Sequence, residues 1–196
     1  MAKGMNRGHF KLTTWGLEAV EIADDARILD IGCGGGRTLG RLAEQAPRGH
    51  TVGIDYSEDS LAVTRRINRR LVLDGRISLA QATVSALPFA NAVFDLATAV
   101  ETFYFWPDTH GDLAEVRRVL RPGGELVMIA GMYRGSRFDR RNMMFEKAGN
   151  LTSLTVDEFE EALASAGYSD VRVSVEPRQG WVRASGRRPS QEVPAS

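Results

Sequence analysis

The chain has little of several things that decide whole classes at once. It holds a single cysteine, Cys33, among 196 residues, so no intrachain disulfide can form, and such usage fits a reducing cytoplasm. It has no excess of either charge. Lys+Arg and Asp+Glu both number 25, which argues against a general nucleic-acid binder, because such proteins carry a basic excess. No apolar run approaches the roughly 18–20 residues that cross a bilayer. The first residues hold no apolar stretch of the signal-peptide kind, and a cytoplasmic location without membrane or nucleic-acid partners is expected. No His/Cys/Asp/Glu spacing reads as a metal site. Internal repeats and low-complexity blocks are absent. This length fits one domain with a sizeable core.

What is present alternates in type along the chain. Residues 1–25 read as a leader, with helical spacing from Leu12 to Ala23. Short apolar strands are predicted over 27–31, 51–55, 77–80, 93–100 and 125–130. Helices are predicted over 37–46, 58–73 and 109–120, the last stopped by Arg121-Pro122-Gly123-Gly124. Thr155 and Glu158 form a capping-box signature opening a helix over 156–166. Residues 171–175 and 180–185 are too close for a helical crossover, so they should pair antiparallel. The Pro-, Ser- and Arg-rich residues 186–196 are expected to be disordered, leaving 1–185 as the folded domain. Alternating strands and helices imply an α/β fold, a mostly parallel sheet with both faces covered. The cluster Arg65, Arg66, Arg69 and Arg70 reads as a solvated helix face.

The richest stretch is Leu29-Asp30-Ile31-Gly32-Cys33-Gly34-Gly35-Gly36-Arg37: a buried strand, a turn made almost wholly of glycine, then a helix start. Glycine accepts positive φ and lets a ligand approach the backbone. A dinucleotide fingerprint needs a third glycine where Arg37 stands, and a P-loop needs a lysine that is missing. Asp30 at the mouth of the turn would repel a pyrophosphate but suits a ligand bearing an ammonium group. S-adenosylmethionine carries an ammonium and a sulfonium and no phosphate. About 20 residues on, a second short strand ends in Asp55, where this fold places a ribose-binding carboxylate, and Tyr56 offers a flat face for adenine. Cys33 reads as a small loop residue presenting its backbone rather than as a catalytic thiol. Asp30, Asp55 and Glu101 all fall at predicted carboxyl ends of strands, the edge where such sheets bind ligands.

Together with Leu87-Pro88-Phe89, Phe94-Asp95-Leu96 and Leu120-Arg121-Pro122-Gly123-Gly124, these segments resemble the class I S-adenosylmethionine-dependent methyltransferases of the small UbiE-like type, over residues 27 to about 175. The resemblance implies a Rossmann-like seven-stranded sheet of order 3-2-1-4-5-7-6 with the last strand antiparallel. It implies S-adenosylmethionine as cofactor and S-adenosylhomocysteine as product. Asp30, Gly32, Cys33 and Gly34 would face the methionine part, Asp55 the ribose, and Tyr56, Thr83 and Val84 the adenine. Glu101 would border the methyl group. Thr83 stands where the family often has Asp, a change expected to weaken adenine binding by about 1 kcal/mol. The opening Met5-Asn6-Arg7-Gly8-His9 and the run Glu101 to Pro107 resemble a subset of small bacterial methyltransferases.

Methyl transfer is an in-line displacement, and a base is needed only where the acceptor must lose a proton. The candidates are Glu101, Tyr104 and His9, with Tyr133 further along. His50 and His110 read as structural. Phe103, Tyr104, Phe105 and Trp106 cannot all face inward in one regular element, so some should line a cavity for an apolar or aromatic-bearing small molecule. Residues 133–151, with Met143, Met144 and Phe145, read either as a substrate cover or as a plain packed helix. The sequence permits a homodimer through the leader or this segment. Two rivals remain: a non-catalytic S-adenosylmethionine-binding protein on the same fold, and an NAD(P)-dependent oxidoreductase, which the missing third glycine disfavours. A nucleic-acid methyltransferase would show an Asn/Asp-Pro-Pro-aromatic motif where Glu101-Thr102-Phe103-Tyr104 stands.

Overall fold

Strands rich in Ile, Leu and Val with no polar alternation are buried on both faces, and here they stack into one sheet. The structure, a computed structural model, describes residues 10–147, 149 and 151–190 in full, and the backbone alone of residues 2–9 and 148. The elements run α1 (Ala2–Leu17), β1 (Arg27–Ile31), α2 (Arg37–Gln45), β2 (His50–Asp55), α3 (Glu58–Ile67), α4 (Arg69–Leu73), β3 (Ile77–Gln81) and β4 (Phe94–Val100). A 3₁₀ turn (Phe103–Phe105) follows, then α5 (Thr109–Val119), β5 (Leu120–Ala130), α6 (Asp139–Gly149), α7 (Val156–Ser165), β6 (Ser169–Glu176) and β7 (Trp181–Arg187). The strand order is β3-β2-β1-β4-β5-β7-β6. β7 lies antiparallel to both β5 and β6, and the other pairs are parallel. This is the expected sheet.

The strands' period-2 alternation sorts the core onto two faces. On one, Leu29, Ile31, Ala97 and Met128 pack with Leu113 and Val116 of α5 and Phe159 and Leu163 of α7. On the other, Ile28, Leu96 and Ile129 pack with Leu12 and Leu17 of α1 and Leu42 of α2. α1 can lie this close because Gly16 is bare: a Cβ there would stand 2.4 Å from Ile129 Cδ1. The α7 capping box is complete, with Thr155 Oγ1 accepting from the Glu158 amide at 3.2 Å and Glu158 Oε2 from the Thr155 amide at 2.8 Å.

Several boundaries differ from expectation, each for a tertiary reason. The leader helix ends at Leu17 rather than Ala23. The 58–73 helix is broken at Asn68, whose Nδ2 donates to Gly36 O at 2.8 Å and Thr64 O at 3.2 Å. Strand five starts at Leu120, which pairs with Phe94 before a register shift absorbs the Pro-Gly-Gly turn. Part of the segment expected to be disordered is structured. Gly186 and Arg187 complete β7, and Arg188 Nη1 donates to the carbonyls of Arg117, Arg118 and Leu120 at 3.3, 3.0 and 2.7 Å. Residues 191–196 lie outside the described residues. The four arginines of α3 and α4 are exposed as expected.

Candidate active site

The carboxyl ends of β1, β2 and β4 open into a cavity of about 940 Å³, within the usual range for small-molecule sites. Its floor is the glycine turn between β1 and α2. Gly32, Gly34 and Gly36 have φ of 70°, 50° and 74°, a region where a Cβ is strained. A Cβ on Gly34 would meet only Gly32 O, at 3.9 Å, and otherwise stand in the cavity. The turn is clamped from outside. The Cys33 amide donates to Ile54 O at 2.9 Å, Thr64 Oγ1 to Gly34 O at 2.6 Å, and Asn68 Nδ2 to Gly36 O. Thr64 and Asn68 were missed by the sequence reading. Their signal was two polar residues four apart on the buried face of a helix.

Asp55, at the end of β2, is 8% exposed. Its Oδ2 accepts from the Gly34 amide and its Oδ1 from the Ser57 amide, both at 2.9 Å. Asp30, at the end of β1, is 2% exposed and accepts from Thr98 Oγ1 at 2.8 Å, while its Oδ2 has no partner among the described residues. Burial pushes the Asp30 carboxyl up to about 7; the Thr98 hydroxyl works against this and the nearby Asp55 charge adds to it. Cys33 is buried, and burial with the Asp30 and Asp55 charges lifts its thiol to about 12. It is a neutral thiol presenting backbone, as expected.

Glu101 ends β4 with φ 60°, an uncommon conformation for a residue with a Cβ. Its Oε1 accepts from the Gly131 amide and, at 2.9 Å, from Tyr104 Oη. Tyr104 Oη in turn accepts from the Met132 amide at 3.2 Å. Burial, then the Glu101 charge, holds the phenol well above its usual range.

The cavity brings together Asp30, Gly32, Cys33, Gly34, Asp55, Tyr56, Thr83, Val84 and Glu101, all the residues expected at a cofactor. Tyr104 and Tyr133 are not on its wall: both are buried, and Tyr104 stands behind Glu101. The side chain of His9 lies outside the described residues. His50 bonds Gly75 O and Ser78 Oγ, each at 3.0 Å, and His110 lies 3.3 Å from Ser165 O; neither lines the cavity. Of the four consecutive aromatics, Phe103, Tyr104 and Trp106 are buried and Phe105 is 64% exposed, because the 3₁₀ turn redirects each side chain. Phe105 and Trp106 reach the cavity. No described residue of 133–151 lines it. Phe10 and Thr13 of α1 form that wall instead, with Arg37 and Arg41 of α2 beside them.

A sheet of this order, with a glycine turn after β1 and acids at the ends of β1 and β2, defines the Rossmann-like methyltransferase fold. Residues 29–128 match the methyltransferase domain family, and the chain belongs to it. An O-methyltransferase of Pyrenophora dematioidea is 30% identical over 176 residues, covering 85% of this chain and 64% of that protein. The 27-O-demethylrifamycin SV methyltransferase of Amycolatopsis mediterranei is 30% identical over 168 residues, covering 82% and 61%. The chain thus spans less than two thirds of the length of these curated relatives. Among solved structures, the complex of the Haloferax volcanii Trm112 methyltransferase activator with a methyltransferase holds a chain superposing with TM-score 0.82 at 20% identity, covering 95% of this chain and 93% of that one.

Proposed function

We propose that the protein transfers a methyl group from S-adenosylmethionine to a small apolar or aromatic-bearing molecule. The observation that carries this is the partnerless Asp30 Oδ2, buried beside a glycine cradle in a cavity edged by the exposed side chains of Phe10, Tyr56 and Phe105. A buried carboxylate oxygen without a donor is costly, and an ammonium supplies what it lacks. A cradle that a Cβ would fill accommodates the backbone-like end of an amino-acid ligand. The names of the O-methylating relatives support an acceptor oxygen on a small molecule.

When bound, the cofactor supplies an electrophilic methyl group activated by positive sulfur. The chain's residues orient and exclude water. Asp30 would hold the ammonium, and Asp55 would accept from the ribose hydroxyls through lone pairs left over from its two amide bonds. Thr83, the Val84 amide and Tyr56, all on the cavity wall, would hold the adenine. Glu101, braced by Gly131 and Tyr104, borders the acceptor and can take its proton. His9 remains a second candidate for that role.

Calorimetric titration with S-adenosylhomocysteine and with NADH, on wild type and Asp55→Ala, tests the reading. Homocysteine-ligand binding that the variant weakens, with no NADH signal, is expected. NADH binding alone would overturn the proposal.

A further inference from the structure

The cavity wall is divided by charge. Among the described residues, its acids, Asp30, Asp55 and Glu101, lie at the strand ends, and its arginines, Arg37 and Arg41, lie on α2. Four residues apart, these arginines share one helix face. Arg37 occupies the first turn of α2, which holds no acidic residue, although the helix dipole disfavours a cation there. Among the described residues neither arginine has an acidic partner. Arg41 is the more committed of the two. Its guanidinium carbon sits 4.8 Å over the Phe10 ring, and its Nη1 is buried without a hydrogen-bond partner among the described residues. A guanidinium stacked on a ring keeps its planar fork presented edge-on, the geometry that pairs with carboxylate and phosphate oxygens. Breaking local rules of charge placement in a cavity wall marks a binding role.

We propose that Arg41, with Arg37 one turn before it, is a subsite for an anionic oxygen group, a carboxylate or phosphate, carried by the methyl acceptor. The acceptor's apolar body then lies along Phe10, Phe105 and Trp106, and its acid end meets Arg41. Assignment of the anion to the acceptor rests on the methyltransferase reading; the anion subsite stands on the arginines alone. The cofactor's own carboxylate has the same chemistry, so the experiment separates the two sources.

Cinnamate and its neutral counterpart cinnamamide serve as probes, titrated into wild type, Arg41→Gln and Arg41→Lys, each with and without S-adenosylhomocysteine. Thermal melts check that each variant is folded. Wild type should bind cinnamate about tenfold tighter than the amide, the scale of one charge-assisted pair. Arg41→Gln should abolish that preference and leave homocysteine-ligand affinity within about twofold, and Arg41→Lys should keep part of it. Equal binding of acid and amide by wild type, binding of neither at millimolar concentration, or a preference surviving in Arg41→Gln would each overturn the subsite. If Arg41→Gln weakens S-adenosylhomocysteine but not methylthioadenosine, which lacks the carboxylate, the anion belongs to the cofactor and the acceptor assignment falls. Failure of wild type to bind S-adenosylhomocysteine would sink the methyltransferase reading, and the titrations without it would still decide the anion subsite.

Discussion

Asp30 and Asp55 end neighbouring parallel strands, line the same cavity and are both nearly inaccessible, yet their surroundings treat them oppositely. Asp55 meets the glycine turn and the start of α3, and each of its oxygens takes a backbone amide. Asp30 faces the middle of β4, where the backbone donors are spent on the sheet ladder. Among the described residues only the Thr98 hydroxyl bonds it, and Oδ2 goes without. A strand end beside a turn offers free amides; a strand end flanked by two paired strands does not. Asp55 is therefore a structural clamp of the turn. Asp30 carries a desolvation cost that, under the proposed function, a bound ammonium would relieve.

The sharpest way to break the comparison is Asp30→Asn. Between pH 4 and 7 the folded chain keeps a proton on Asp30 that the unfolded chain has released. Stability from this group is therefore present below about pH 4 and lost as pH rises to about 7. Removing the charge should raise stability of the ligand-free protein at pH 8 by up to about 4 kcal/mol, and flatten that slope, as urea titrations at pH 5 and 8 would show. The same variant should weaken S-adenosylhomocysteine. Wild-type affinity for this ligand should rise as pH climbs through 7, because the ammonium needs the carboxylate.

Asp55→Ala should have the reverse effect on stability. It orphans the Gly34 and Ser57 amides, so stability should fall at every pH, and calorimetric affinity for S-adenosylhomocysteine should drop about 100-fold. Thr98→Val sharpens the contrast by removing the one donor on Asp30. Its carboxyl should titrate about 1 pH higher, read by carboxyl ¹³C shifts. Tyr104→Phe tests the third acid, Glu101, which would keep the Gly131 amide and lose the phenol. A loss of about 1 kcal/mol in transition-state stabilisation is expected, seen in kcat/KM with an acceptor in hand, while cofactor affinity holds.

Much of this was legible in the chain. The order of apolar runs, the glycine turn and the acids at strand ends are local patterns. A turn that must pass through positive φ can be read from its glycines, and the capping box from Thr155 and Glu158. The residues expected at a cofactor all line the cavity, because each sits at a fixed offset from such a pattern. The sequence also placed His50 and His110 outside the site. It determined, by itself, the α/β class, the sheet order through the family resemblance, and the chemical character of the floor.

Only the tertiary structure decided the rest, because the deciding partners are distant along the chain. Asn68 breaks a helix to hold Gly36, 32 residues away. Arg188 extends the ordered chain by capping carbonyls about 70 residues earlier. Tyr104 leaves the cavity wall because a 3₁₀ turn points its hydroxyl at β5. α1, rather than the 133–151 segment, walls the cavity because bare Gly16 lets it press onto Ile129. Local spacing sets which way a side chain leaves its own helix or strand. Which group waits on the other side is set by packing across the fold.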